Sequence, residues 1–410
     1  MRPIAKLPSA ALALTVAVTA CGGGGEATTQ AGPVTLRMTV WTASEAHLKL
    51  LNDIAAGFTK AKVKFESLPV DTYTTTLTTQ IAGGNAPDLA WILERSAPDF
   101  VGSGALAPVG GKLENRGELI PSATRLWEKD GELYAYPFST SPLGVFVNTD
   151  LLKQAGQKPP GKGWTWDEAM AAAAAVAKKG KAGLAIPDFE YKEWGVLAGI
   201  WGGWGAKAWS DDGATCGFNS PEMVGAMTFI HKSIFVDKAV PGPGTTVDFF
   251  AGDAAMAISQ VSRAGLLKDA KFGWELLPLP AGPKGEYAVI GQAGVGVLKK
   301  SPNAELATEF LAYFTNAANS AKLAQFFPPA RSSQLNAETL AKSNPLLKPE
   351  QLQSVVIDGI NKGTVKPVHK GQEELSQTVR AALDPLWRPD ADVKAVLDDV
   401  CAKIQPMLGA

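Results

Sequence analysis

Histidine and cysteine are scarce in this chain of 410 residues, with three of each. His47, His231 and His369 lie far apart, with no His-x-x-x-His pair, and no two cysteines have the spacing of a zinc site. No metal and no cofactor is therefore expected. A Gly-x-Ser-x-Gly elbow and a phosphate-binding loop are also missing. Gly291, Gly294 and Gly296 have the wrong spacing for a dinucleotide loop and run straight into a strand-like stretch. Forty residues are acidic, yet none pairs off as the two carboxylates that glycoside hydrolysis needs. His231 falls between apolar positions of a helical stretch, where a structural role is expected. With 39 basic residues against 40 acidic, the net charge is −1. That balance argues against nucleic acid as a partner and against a membrane surface recognised by charge. Beyond the first 20 residues no uncharged run is long enough to span a membrane. These absences make an enzyme the poorer expectation.

What is present begins at the amino terminus. Arg2 and Lys6 precede an apolar run, Leu7 to Ala20, that is shorter than the roughly 20 residues of a spanning helix. The order of charged start, apolar middle and small-residue end is that of an export signal over residues 1–20. Val18-Thr19-Ala20-Cys21 resembles the lipobox of bacterial lipoproteins, which implies cleavage before Cys21 and a diacylglyceryl group on its sulfur. Paired acyl chains hold a protein on a membrane far better than one. Residues 21–33, with four consecutive glycines, then read as a flexible tether that buries no core. The expected location is extracytoplasmic, held to the cell membrane through the lipid alone. Loss of Arg2 and Lys6 moves the formal charge from −1 to −3.

Roughly 380 remaining residues are too many for one ordinary core, so two lobes are expected. Residues 34–41 alternate apolar and polar positions as a strand does; 44–61 follow with helical spacing, and 63–70 alternate again. This order points to α/β layers. Further helices are expected from Thr72 to Ala82, and from Thr165, where Thr165 and Glu168 have capping-box spacing. Two more are expected after Ser220-Pro221 and after Ser301-Pro302. The last 70 residues read as mostly helical. Cys216 and Cys401 form an even pair outside the cytoplasm, open either to a disulfide or to two buried thiols.

Tryptophan is plentiful, with eleven residues, of which Trp164, Trp166, Trp194, Trp201, Trp204 and Trp209 cluster. Trp164, Trp166 and Trp194 read as packing anchors. Trp201 and Trp204 stand among glycines, where an indole could either pack or offer a flat face to a sugar ring.

Several stretches, taken in order, resemble the extracellular solute-binding proteins of family 1, the sugar-binding components of bacterial ABC importers. They are GGNAPDLAWILER (83–95), YPFSTSPLGVFVNTDLL (136–152), PPGKGWTWDEA (159–169), FFAGDAAMAISQ (249–260), LPLPAGPKG (277–285), SPNAELATEFLAYF (301–314) and PPARSS (328–333). Val147 replaces the usual tyrosine of the second stretch, and Gln154 departs from its usual charged or asparagine end. The resemblance implies a periplasmic-binding-protein-like α/β fold, two lobes joined by hinge crossings with the ligand in the cleft between them. It implies lobe one at 34–143 and 297–328, and lobe two at 149–291 and 335–410. Hinges are expected near 142–148, 291–297 and 328–335. Cys216 and Cys401 then fall in one lobe, which favours the disulfide. A monomer is expected, partnered by a carbohydrate ligand and by the transmembrane subunits of a permease.

An uncharged sugar is held by aromatic planes on its apolar faces and by polar side chains on its hydroxyls. Open α/β sheets place ligands at the carboxyl ends of their strands. The expected ligand-binding residues are Trp41, Glu45, Trp91, Glu94 and Arg95 from lobe one, and Tyr136 and Ser141 from the hinge. Lobe two would add Trp201, Trp204 and Ser259, with Gln292 and Arg331 at the later crossings. Asp71 and Tyr73 are weaker candidates, and Pro87-Asp88 is expected to shape a turn. Rival expectations are the same fold binding another solute such as a polyamine, and a surface-tethered glycoside hydrolase.

Overall fold

The computed structural model describes residues 34–42, 44–186 and 194–409. The expected export signal, Cys21 and the expected tether lie outside the described residues. Eleven strands are present among those described: β1 Thr35–Val40, β2 Lys62–Ser67, β3 Leu89–Leu93, β4 Glu128–Lys129, β5 Glu132–Leu133, β6 Ala135–Asn148, β7 Ala182–Ala185, β8 Ala254–Gln260, β9 Trp274–Leu277, β10 Val289–Val297 and β11 Thr364–Val365. β4 and β5 form a small hairpin, and the other nine share one sheet ordered β2-β1-β3-β10-β6-β8-β7, with β11 on β10 and β9 on β6.

β1, β2 and β3 are parallel, as their strand–helix–strand order requires. β6 is 14 residues long and buried throughout. Its first half, Ala135 to Pro142, pairs antiparallel with β10; its second half, Leu143 to Asn148, pairs with β8 and β9. One strand therefore runs from one half of the molecule into the other. β10 crosses beside it, and the Thr140 N–H donates to the Pro328 carbonyl at 2.9 Å, which brings a third segment to the same place.

The buried apolar side chains divide accordingly. One core draws on residues between Leu36 and Phe138 and between Ala293 and Ala330. Two others draw on Leu143 to Val289 and on the tail from Leu335 to Leu408, with Ala324 and the half-buried Ile120 reaching across. Cys216 and Cys401 are disulfide-bonded, with Cα atoms 5.5 Å apart, and the bond fastens the last long helix, Val393–Leu408, to the second half.

Local sequence signals account for the elements around the site. Thr165 and Glu168 form the capping box of the helix Trp166–Ala177. Ser220 caps Pro221–Phe235 through its side chain. Ser301 behaves otherwise: the helix after it is Ala304–Phe314, with no side-chain cap. The Ser301 hydroxyl donates to Asp88, whose other carboxylate oxygen accepts from the Arg37 N–H at 2.8 Å. Asp88 thus ties β1 to the segment leading into that helix. The helix after β1 spans Glu45–Ala55 and stops six residues short of Ala61, because Lys62 must begin β2 alongside Thr35.

Candidate functional site

The carboxyl ends of β1 and β3 in one half face the carboxyl end of β8 in the other, and the crossing strands form the floor between them. A cavity of about 320 Å³ lies there, near the lower end of the range for small-molecule sites. β1 leads into Trp41, and β3 into Glu94 and Arg95. β8 supplies Ile258, Ser259 and Gln260, and the turn after it supplies Ser262 and Arg263. Phe138, Ser139 and Leu143 come from β6, and Gly291, Gln292 and Ala293 from β10.

The lining joins aromatic planes to polar groups. Phe138 stacks on Trp91 with ring centroids 4.6 Å apart. Trp41 stands edge-on to Trp91 at 4.8 Å, and Phe327 edge-on to Phe138 at 5.2 Å. Trp91 is thus the buried backing that orients Trp41 and Phe138 toward the cleft. Such edge and offset arrangements are the favourable ones for aromatic pairs. A Cβ at Gly291 would lie 1.9 Å from the Gln260 side-chain nitrogen, so a larger residue there would displace the amide of Gln260 from the floor.

Five charged side chains line the cavity: Asp71 and Glu94 against Arg95, Arg263 and Lys366. The Glu94 carboxylate pairs with the Lys366 ammonium and accepts the Gln292 backbone N–H. Both side chains of the ion pair are about nine-tenths buried, at 10% and 12% exposure. Burial of a pair is tolerated only with further hydrogen bonds of this kind. The Arg263 guanidinium lies 4.8 Å from the Phe250 ring centroid, a cation–π contact. The Gln292 side chain donates to the Ser122 carbonyl at 2.8 Å. Its oxygen, and the hydroxyl of Thr140 directly across the strand pair, are buried with no hydrogen-bond partner among the described residues. Among the described residues no group of three or more metal-ligating side chains occurs.

Of the residues nominated from the sequence, Trp41, Glu94, Arg95, Ser259 and Gln292 line the cavity, as does Asp71. The others are placed elsewhere. Glu45 is exposed on the first turn of its helix. Trp91 is 1% exposed, inside the first core. Tyr136 is buried with its hydroxyl 3.2 Å from that of Ser320, and burial pushes its phenol up. Tyr73 is buried against Thr39 at 3.0 Å. The Ser141 hydroxyl accepts the Ser262 N–H at 3.0 Å and so pins the crossing strand to the turn after β8. Arg331 is 1% exposed and donates to the carbonyls of Glu114 and Thr315, both at 3.0 Å. Its cation ties the loop at Glu114 to the end of the helix Ala304–Phe314 inside the first half.

Trp201 and Trp204 also pack inward. Trp201 is 2% exposed, against Trp194 and Phe218. Trp204 lies 4.8 Å from Phe229. The glycines beside them serve close approach rather than a surface loop. A Cβ at Gly202 would lie 2.6 Å from the Tyr287 ring, and one at Gly203 would lie 3.0 Å from the Gly282 backbone. Trp164, Trp166 and Trp194 are buried anchors, as their positions suggested. His231 bridges to the Arg388 carbonyl at 2.8 Å, a structural contact.

Sequence reasoning missed Phe138, Phe327, Gln260, Arg263 and Lys366. Phe138 lies inside the recognised 136–152 stretch. Arg263 obeys the same strand-end rule that selected Trp41. Lys366 had no local signal, because pairing of β11 with β10 delivers it.

Known proteins bear on this geometry. The family model described as bacterial extracellular solute-binding protein matches residues 49–349. A binding protein of Brucella abortus is 27% identical over 373 residues, covering 84% of this chain and 85% of its own. The sn-glycerol-3-phosphate-binding periplasmic protein UgpB of Salmonella typhimurium is 28% identical over 297 residues, covering 63% of this chain and 65% of its own. The solved structure of an ABC substrate-binding protein from Listeria monocytogenes, in complex with cycloalternan, superposes with a TM-score of 0.81 at 23% identity. It covers 92% of this chain and 99% of its own, so the two-lobed fold is common to both. With a family match across most of the folded residues and a cleft between two lobes, this chain belongs to the bacterial extracellular solute-binding proteins.

Proposed function

We propose that this protein captures a carbohydrate in the cleft by closure of its two lobes and delivers it intact to the transmembrane subunits of an ABC importer. The observation that carries this reading is the lining itself. Trp41, Phe138 and Phe327 offer aromatic surface, while Ser139, Ser259, Gln260 and Arg95 stand among them as hydroxyl partners. A sugar that touches both lobes favours the closed state, and its free energy of binding sets how far the population shifts. The lobes are taken as 34–143 with 297–328, and 149–291 with 335–410. The lipid on Cys21 would hold the protein outside the cytoplasm within reach of the permease, as a monomer.

A second reading is a phosphorylated polyol. Three cations line the cavity against two anions, and Glu94 already answers Lys366. The UgpB relative is named for glycerol-3-phosphate binding. The same balance disfavours a polyamine, which needs an acidic cluster. A hydrolase needs two available carboxylates, and the ion pair with Lys366 occupies Glu94.

A thermal-shift screen of the purified protein against mono- and oligosaccharides and polyol phosphates tests the reading. A ligand at a hundred times its Kd stabilises by about 2.7 kcal/mol. Trp41→Ala should erase the shift. No response to any carbohydrate, or an undiminished response in Trp41→Ala, would sink it.

A further inference from the structure

The cleft does not end at its polar lining. A second cavity of about 650 Å³ adjoins it and shares Ser262 and Arg263 as wall residues. The wall is continuous between the two. Phe327 lines the cleft, and its neighbours Phe326 and Pro328 line the annex. The rings follow one another from Phe138 to Phe327 at 5.2 Å, Phe327 to Phe326 at 6.3 Å, and Phe326 to His47 at 4.5 Å. Burial holds the His47 imidazole below the usual histidine range, so near neutral pH it is an uncharged part of that wall.

The annex is mostly apolar on both sides. Ala46 and Phe326 come from the first half, and Leu266, Leu340, Leu346 and Val356 from the second. Its charged members are the cations Arg263 and Lys268. Four large apolar side chains stand exposed among the described residues, and two of them lie on this one trough: Val70 in the cleft at 45% and Leu266 in the annex at 58%. Apolar surface left uncovered beside a ligand site is a usual mark of what the site receives.

We propose that the trough takes a solute of two unlike parts, a hydroxylated head held in the cleft and an apolar alkyl or aryl substituent lodged in the annex. The preferred ligand is then a glycoside carrying an apolar group rather than an unsubstituted sugar. This rests on the carbohydrate reading above. Continuity with the cleft fixes the occupant. A ring resting against Trp41 and Phe138 can direct a substituent past Phe327 onto Phe326 and Leu266 without leaving the aromatic wall.

Calorimetry on the purified protein with matched pairs tests this: methyl and n-octyl glycosides of gluco-, galacto-, manno- and malto-configuration, each below the micelle concentration. The octyl member of a binding pair should hold at least tenfold tighter than its methyl twin. Leu266→Asp and Ala46→Asp, both at exposed positions on opposite lobes, should bring that ratio near one while leaving the methyl glycoside's Kd unchanged. If methyl glycosides bind and octyl glycosides bind no better, or if both variants keep the ratio, the inference falls and the carbohydrate reading stands. If no glycoside of either kind binds, the carbohydrate reading itself falls and takes the inference with it.

Discussion

Trp41 and Trp201 have the same side chain and opposite employment. Trp41 is part-exposed at the end of β1 and stands on Trp91; Trp201 is sealed between Trp194 and Phe218. Trp201→Ala should therefore cost about 3–5 kcal/mol in denaturant unfolding, and ligand affinity measured on the folded fraction should be unchanged. A loss of affinity at full stability would return Trp201 to the site. Glu94 and Lys366 make a second contrast. Removing one member of a buried pair leaves the other's charge poorly compensated. Glu94→Gln should lower stability by about 3 kcal/mol, and Glu94→Gln combined with Lys366→Met should recover most of it. Additive losses in that cycle would mean that the two do not act as a pair. At this scale the sequence was only partly legible. The strand-end rule picked Trp41, which lines the cavity, and Glu45, which its helix carries to the surface; Glu94 and Arg95, which also line it, were named with the help of the resemblance. Indoles among glycines misled: Gly202 and Gly203 reflect contact with Tyr287 and Gly282, more than 75 residues away, which no local pattern records.

Among the elements, helix starts were written plainly. The Thr165–Glu168 box and the Ser220 cap depend on neighbours within four residues. Ser301-Pro302 shows the limit of such signals, since the hydroxyl was claimed by Asp88 from β3's approach. The resemblance implied a hinge near 142–148, but the division of β6 between two sets of partners was not legible, for pairing is a property of β8, β9 and β10 as well. The disulfide belongs to this scale too. It closes a separation of 185 residues, and both cysteines lie in one core of the second half. In the chain-entropy account a loop of that size is worth about 5 kcal/mol. Cys401→Ser with Cys216→Ser should lower the unfolding free energy by an amount of that order. The Kd for any ligand found should stay within twofold, because the bond ties the tail helix down without crossing the cleft. A Kd that rises tenfold or more in the folded double variant would show that the tail shapes the site.

The whole molecule is two halves, one built on a single core and the other on two, that meet along a narrow set of crossing segments. β6, β10 and the Phe327–Pro328 segment carry the chain across. Most buried apolar contacts lie within a core rather than between cores, which is the arrangement that permits hinge motion. The two-lobed architecture could be expected from the chain's length and its ordered motifs. The position of the tail could not be read locally, nor could Lys366 on the cleft wall, since both depend on where the last third of the chain docks. Small-angle X-ray scattering of the purified protein, with and without a saturating sugar identified by thermal shift, tests the central claim most directly. Closure of two lobes on the solute predicts a smaller radius of gyration in the bound state, absent in Trp41→Ala. A bound protein with the same radius as the free one would contradict capture by closure.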